Sequence, residues 1–328
     1  MLEQGNNVLL NFLFSDTCDT YQHQGRVLYR YQESDYLLSL QAHLPYRCRV
    51  IFSVECATEI EYWLSSISTD AHVAKLDRQN DLLGFELSAQ TANDAWIASF
   101  PQNISAEIVL IQQPLARLNQ PGLLVMDMDS TAIEIECIDE LAAMSGVGDE
   151  VAAVTASAMR GELDFEQSLR RRVSQLAGAD AGIIQRLCDT LPLMPGLEAM
   201  LAELKTHQWK LVVASGGFTP FVSHLKTLLD LDAAFANELV IVDGKFSGEV
   251  TGEVVDAHYK ARVISQCAQQ WGIPVGQRVA IGDGANDILM IQTADVGLAF
   301  HGKPKLIEAA DVSIQHLDLR ALVFCLQN

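Results

Sequence analysis

From Pro121 to the C-terminus, short apolar runs alternate with amphipathic stretches. GLLVMD, WKLVVAS, ELVIVDG and RVAIGDG, then DVGLAF and ADVSI, have the length and apolar density of buried strands. GLEAMLAELKTH and PFVSHLKTLLD, between them, carry apolar residues at helical spacing. Strands alternating with helices predict an α/β fold built on a parallel, doubly wound sheet, and ligands of such sheets sit at the carboxyl ends of the strands. The alternation is interrupted once. From about Ile133 to Met194 there is almost no strand signal, and ECIDELAAMSG, DEVAAVTASAMRG, DFEQSLRRRVSQLAG and ADAGIIQRLCDTL all read as helices. A helical piece inserted straight after the first strand end would lie over the site as a cap.

The pattern ahead of Leu118 is different. RCRVIFSVE reads as a strand and CATEIEYWLSSIST as a helix; AHVAKLDR and LLGFELSAQ make a hairpin across QND; DAWIASF is a short helix and SAEIVLIQQP a last strand. The order is βαββαβ, the ferredoxin-like split pattern. The polar stretch ARLNQPG closes it, so residues 1–118 are expected to form an N-terminal domain and 119–328 a second one carrying the cap at 133–194. VLLNFLF, GRVLYRYQ and DYLLSLQAHL, before Pro45, add elements that the pattern does not place.

Composition narrows the partners. A net charge of −20 would repel a phosphate backbone, which argues against nucleic acid but not against a small anion, because a local field can oppose the net charge. The apolar runs are too short to span a bilayer, and MLEQGNNVLLNFLF has no basic region before its apolar stretch. Seven scattered cysteines without a CxxC pair suit a reduced, cytoplasmic interior better than a disulfide or zinc framework. Gly146-Val147-Gly148 lacks the third glycine and the preceding strand of a dinucleotide loop.

The first strand ends in two carboxylates, Asp127 and Asp129. Alone, such a pair is an Asx turn or a helix N-cap. Two further strand ends are also marked: Ser215-Gly216-Gly217 follows one, and Asp283-Gly284-Ala285-Asn286-Asp287 another. Acids gathered on neighbouring strand ends repel unless a cation holds them, and hard oxygen ligands suit Mg²⁺. A hydroxyl and backbone N–H groups at Ser215 can cradle a phosphate. Lys260, taken alone a solvated helix lysine, is the candidate fixed cation.

DMDST, ASGG, a lysine and GDGAND, in that order, resemble the haloacid dehalogenase superfamily. The resemblance implies that Asp127 is a nucleophile forming an aspartyl-phosphate and Asp129 a general acid and then base. It also implies that Thr131 supports the nucleophile loop. Asp127 and Asp283 would bind Mg²⁺ by carboxylates and Asp129 by its carbonyl, with Asp287 behind them. DMDSTAIEIECIDELA and AMRGELDFEQSLRRRV are similar to the phosphoserine phosphatase family. There Glu136 would grip an ammonium group, Arg172 a carboxylate, and Met159 and Phe165 would cover the bound amino acid. Ser215, Gly216, Lys260 and Asn286 would hold the phosphate. The implied reaction is Mg²⁺-dependent hydrolysis of O-phospho-L-serine, the last step of serine biosynthesis. The alternatives are a phosphatase or phosphotransferase for another small phosphorylated metabolite, and an amino-acid sensor using a catalytically dead scaffold. The βαββαβ unit looks like an ACT-type module, which commonly binds small amino acids at a dimer face, and so implies a homodimer.

Overall fold

The computed structural model describes residues 46–66, 71–89 and 94–327, and the backbone of 20–23 and 26–31. VLLNFLF and DYLLSLQAHL lie outside the described residues. GRVLYRYQ lies partly inside them, because strands β1 (Thr20–His23) and β2 (Arg26–Tyr31) open the first sheet. They are followed by β3 (Tyr46–Phe52), α1 (Ala57–Ser66), β4 (Ala71–Lys75), β5 (Leu83–Ala89), α2 (Asp94–Ala98) and β6 (Ala106–Leu110). The sheet order is β1-β2-β4-β5-β3-β6. Its last four strands have the antiparallel order that a βαββαβ unit produces, and β2 adds to β4 in parallel.

Strand periodicity gives this sheet two different faces. Cys48, Val50 and Phe52 of β3, with Phe85 and Leu87 of β5, pack in one cluster with Ile60, Trp63 and Leu64 of α1. Ile51 belongs instead to the cluster that holds most of the second sheet's core, together with Leu76, Leu82, Val109 and Ile111. Hydrophobic packing therefore runs without a break across the 118/119 boundary.

The second sheet has seven strands in the order β10-β9-β8-β7-β11-β12-β13. In chain order they are β7 (Leu123–Met126), β8 (Lys210–Phe218), β9 (Ala233–Val242), β10 (Lys245–Thr251), β11 (Arg278–Gly282), β12 (Val296–Phe300) and β13 (Val312–Ile314). β7 is central and buried on both faces, Leu124 and Met126 on one side and Leu123 and Val125 on the other. A continuous apolar run is what a doubly covered parallel strand requires. All pairings are parallel except β9–β10. That hairpin departs from the sequence reading: KFSGEVT has too few apolar residues to signal a strand, and it forms one by pairing with β9.

The insertion is helical, as its pattern predicts: α3 (Cys137–Ser145), α4 (Gly148–Met159), α5 (Phe165–Gln175) and α6 (Ile183–Cys188). A narrow neck joins it to the sheet, where Glu134 N–H donates to Pro192 O and Met194 N–H to Ala132 O. Its far end is fastened to β10 by Gly178 N–H to Phe246 O and Phe246 N–H to Ala179 O, and to the β9–β10 turn by Ala181 N–H to Gly244 O. The remaining helices are α7 (Leu197–Thr206), α8 (Thr219–Leu228), α9 (Ala257–Trp271), α10 (Ile288–Thr293) and α11 (Pro304–Ala309), before a 3₁₀ stretch at Leu319–Cys325. Among the described residues no helix is long and apolar enough to cross a membrane. Six cysteines are described, and all are free and buried.

Candidate active site

The chain runs outward from β7 through β8 to β9 on one side and through β11 to β13 on the other. The carboxyl ends of β7, β8 and β11 therefore meet at the reversal of strand order, the crevice where such sheets bind ligands. Asp127 follows β7, Ser215 and Gly216 lie near the end of β8, and Asp283 follows β11. Together with the cap they enclose a cavity of about 220 Å³.

The floor is a buried charge cluster. Lys260, on α9 and fully buried, places Nζ 2.7 Å from Asp127 Oδ1 and 2.8 Å from Asp287 Oδ1. Burial disfavours the ammonium, but these two carboxylates more than offset it and raise its pKa. Asp287 has no oxygen to spare: its Oδ2 accepts from the N–H groups of Asp283 and Gly284. Asp127 Oδ1 also accepts from Met128 N–H at 2.7 Å. Burial, then the Asp287 charge, push the Asp127 carboxyl well above its ordinary range despite Lys260.

Asp129 Oδ1 accepts from Cys137 N–H at 3.0 Å, which ties the end of β7 to the first cap helix. Burial, and next the Glu136 charge, raise Asp129 to about 7. Gly217 permits its approach to β8, because a Cβ there would lie 2.9 Å from Asp129 Oδ2. Asp283 is raised to about 6, first by burial and then by Asp287. Oxygens of Asp127, Asp283 and Asp287 lie within 4.8 Å of one another. With Asp287 already saturated by Lys260 and two N–H groups, Asp127 and Asp283, both held with raised pKa, are the hard-oxygen donors left for a divalent cation.

The roof comes from the cap. Asp164 and Gln167 form a capping box that sets the start of α5. From that start Phe165, Leu169 and Arg172, spaced four and three residues apart, share one face and line the cavity. The Phe165 ring lies so close to Gly216 that a Cβ there would sit 2.9 Å from it. Glu136, just before α3, accepts from Ser130 Oγ at 2.9 Å; Ser130 has φ 56, which turns the chain back toward the cap. Arg172 is half-buried, and its Nε is buried with no hydrogen-bond partner among the described residues. Burial lowers its pKa, opposed by the charges of Asp139, Glu136 and Asp129.

The structure brings together Asp127, Asp129, Glu136, Phe165, Arg172, Gly216, Asp283 and Asn286 as cavity lining, with Ser215, Lys260 and Asp287 buried behind them. Ser215 Oγ accepts from Gly217 N–H at 2.8 Å. Thr131 is fully buried; its N–H donates to Met128 O, and its hydroxyl has no partner among the described residues. Met159 does not join the site. It ends α4 and is 84% exposed, because the helix turns that position to solvent. Sequence reasoning missed Leu169, Ile138, Phe218 and Lys303 as cavity lining. The first was within reach, one helical turn after Phe165; nothing local marks Lys303.

Residues 122–295 match the family model of the haloacid dehalogenase-like hydrolases, more than half of the chain. A phosphoserine phosphatase from Haemophilus influenzae is 53% identical over 207 residues, which is 63% of this chain and 66% of that protein, just under two thirds of its length. A phosphoserine phosphatase from Idiomarina loihiensis is 44% identical over 63% of this chain and 94% of its own. The crystal structure of a probable phosphoserine phosphatase from Vibrio cholerae, in unliganded form, matches with a TM-score of 0.72 and 39% identity. That match covers 85% of this chain and 86% of the other. With the strand-end acids, the buried lysine and the helical cap in place, the chain belongs to the haloacid dehalogenase-like hydrolases, on their phosphoserine phosphatase branch.

Proposed function

We propose that the chain hydrolyses O-phospho-L-serine to L-serine and phosphate through an aspartyl-phosphate on Asp127. One observation carries the reading: a single cavity has the strand-end acids on its floor and one carboxylate and one guanidinium, Glu136 and Arg172, in its roof. The buried Arg172 Nε, with no partner among the described residues, calls for an acceptor, and a planar guanidinium matches a carboxylate. Glu136, across the same cavity, supplies the anion an ammonium group needs. Phe165 and Leu169 close the space between them.

In this mechanism an Asp127 carboxylate oxygen attacks phosphorus while Lys260 holds its Oδ1. The bond to the serine oxygen breaks, and that oxygen takes the proton of Asp129, which a pKa of about 7 keeps available near neutrality. Asp129, now ionised, takes a proton from water; the hydroxide attacks phosphorus, freeing phosphate and regenerating Asp127. Ser215, Gly216, Asn286 and Lys260 hold the phosphoryl oxygens. Asp127 and Asp283 by carboxylates, and Asp129 by its carbonyl, would hold Mg²⁺, whose charge when bound offsets the gathered acids and the phosphoryl group. Asp287 and Thr131 keep the loops in place.

Residues 1–118 then form a ferredoxin-like, ACT-type domain beside a catalytic domain at 119–328. Such a module implies a homodimer with a small amino acid at its face, which sedimentation with and without serine would test. A cytoplasmic setting suits the buried free thiols.

The test is phosphate release from O-phospho-L-serine, phosphothreonine and a sugar phosphate, with Mg²⁺ and with EDTA. Phosphoserine should be preferred and EDTA should stop turnover. Hydrolysis of the others but not of phosphoserine would overturn the substrate assignment.

A further inference from the structure

Lys303 is the cavity-lining cation that the mechanism does not use. It stands where the catalytic cavity meets an adjoining groove of about 500 Å³ that contains Glu134, His301 and Asp318, so it marks the mouth of the site. Its side chain is 72% exposed, with Nζ 4.0 Å from Asp283 Oδ2. That separation is too long for a hydrogen bond and leaves the ammonium able to swing.

The backbone beneath it is held firmly. Lys303 N–H donates to Asp283 O at 3.1 Å, and Lys303 is the residue ahead of α11, whose first residue is Pro304. His301, two residues earlier, adopts φ 44, outside the range ordinary residues favour. It is kept there by its N–H to Ile314 O, by Nε2 against Leu317 O at 2.9 Å, and by stacking on Phe300. The fold fixes the stem and frees the charge.

Electrostatics supplies the need. The chain carries −20, and the cavity is lined by the carboxylates of Asp127, Asp129, Glu136 and Asp283. A phosphomonoester approaches as an anion and is repelled. Lys260 is fully buried and already engaged by two carboxylates. Arg172 is half-buried and faces Asp139, Glu136 and Asp129. Among the described residues that line the cavity, only Lys303 presents an exposed positive charge to incoming solvent.

The geometry points to Lys303 as the recruiting residue of this site: its ammonium leaves Asp283 to meet the phosphate anion at the mouth and lowers the repulsion on the way to the floor. This rests on the phosphomonoesterase reading above and deepens it. Lys303 has no part in bond making, so its effect belongs to kcat/KM and not to kcat. The competing role is a solvated surface lysine, which would affect neither.

The test compares the parent with Lys303→Met, Lys303→Gln and Lys303→Arg in the full chain at saturating Mg²⁺, with ionic strength varied. At low salt the two neutral variants should lose ~3–10-fold in kcat/KM, the scale of local steering by one charge, with kcat within about twofold of the parent. Lys303→Arg should keep parental values. The gap should close near 1 M salt, where the screening length falls to about 3 Å. Two neutral variants guard against one folding poorly, and unchanged melting temperatures identify usable ones. Parental kcat/KM at low salt, an equal fall in kcat, or a loss that persists at 1 M salt would each overturn the proposal. If the parent hydrolyses p-nitrophenyl phosphate but not phosphoserine, only the substrate assignment fails, and the same salt comparison proceeds on that ester.

Discussion

Two clusters of buried charge can be set side by side in this molecule, and they behave in opposite ways. One lies under the catalytic cavity; the other lies in the seam between the first sheet and the C-terminal segment. In the seam, Arg49 is fully buried and donates to Phe324 O, to Leu326 O and to Glu86 Oε2. Arg78 donates to Val323 O and Leu326 O, and Arg47 to Glu86. Glu107 Oε1 accepts from the N–H groups of Gln315, His316 and Leu317. Burial pushes Glu86 up, but Arg49 and Arg47 more than reverse it and hold its pKa below the ordinary carboxylate value. Under the cavity, burial wins instead: Asp127, Asp129 and Asp283 are all raised. The difference is partners. Seam charges are matched within the chain, whereas the site has more acids than cations and needs outside charge to complete it.

The largest expected effect comes from removing the attacking charge. Asp127→Asn should lower kcat by ~10⁴-fold or more while leaving a folded protein. Phosphate release and circular dichroism together check it; retained turnover would break the claim that this cluster is the reactive one.

Breaking the matched cluster should show the reverse, a loss of fold before any loss of chemistry. Arg49→Ala removes the fully buried partner of Glu86, leaving it to partly exposed Arg47, takes the donor from Phe324 O, and should cost about 3–5 kcal/mol in urea unfolding. A fragment starting near Asn119 should suffer more, because Ile51, Leu76, Leu82 and Val109 leave the shared core. A fragment as stable as the full chain would show that the seam only decorates the catalytic part.

Smaller effects sharpen the substrate side. Arg172→Ala or Glu136→Ala should lose about 1.5–3 kcal/mol of transition-state binding for phosphoserine, and little for p-nitrophenyl phosphate. Taking both substrates in one mutant cancels general damage; parallel losses would mean that the roof does not read the amino acid.

The smallest effect is on pH, and its sign differs between the clusters. Asp283 has a raised folded pKa, about 6 against an ordinary 3.8. Its folded state therefore binds the proton more tightly, and metal-free stability should fall as pH rises from about 4 to about 6. Asp283→Asn should recover about 1–3 kcal/mol at pH 7 without metal and nothing at pH 4. Glu86 has a depressed folded pKa, so its contribution is present above about 4.5 and fades as pH drops through the folded value. Glu86→Gln should flatten that acid limb. Melting temperatures across pH, with and without Mg²⁺, separate the two; slopes of the same sign would break the comparison.

Much of the site was legible because strand ends are local. An apolar run that stops at Asp127, at Ser215 or at Asp283 declares its own terminus, and in a doubly wound sheet such termini converge. The cap was legible for a similar reason, since helical periodicity over Ile133 to Met194 has no competing strand signal. Met159 shows the limit: its place in the sequence does not say which face of α4 would meet the cavity. Lys303 shows another, because only the turn at His301 carries it to the mouth.

Residue order alone determined most strands of the two sheets, the inserted helices and the strand-end acids, since each depends on periodicity or on neighbours within a few positions. In contrast, β1, β2 and β10 became strands only by pairing. Which acids would be matched was a tertiary decision. Arg47 and Arg49 alternate with apolar residues in β3, the pattern of a solvent-facing strand side, yet both meet Glu86, and Arg49 also meets a chain segment some 275 residues further on. Charges find partners through space, and the low dielectric that decides whether a carboxylate keeps its proton exists only after distant segments have excluded water.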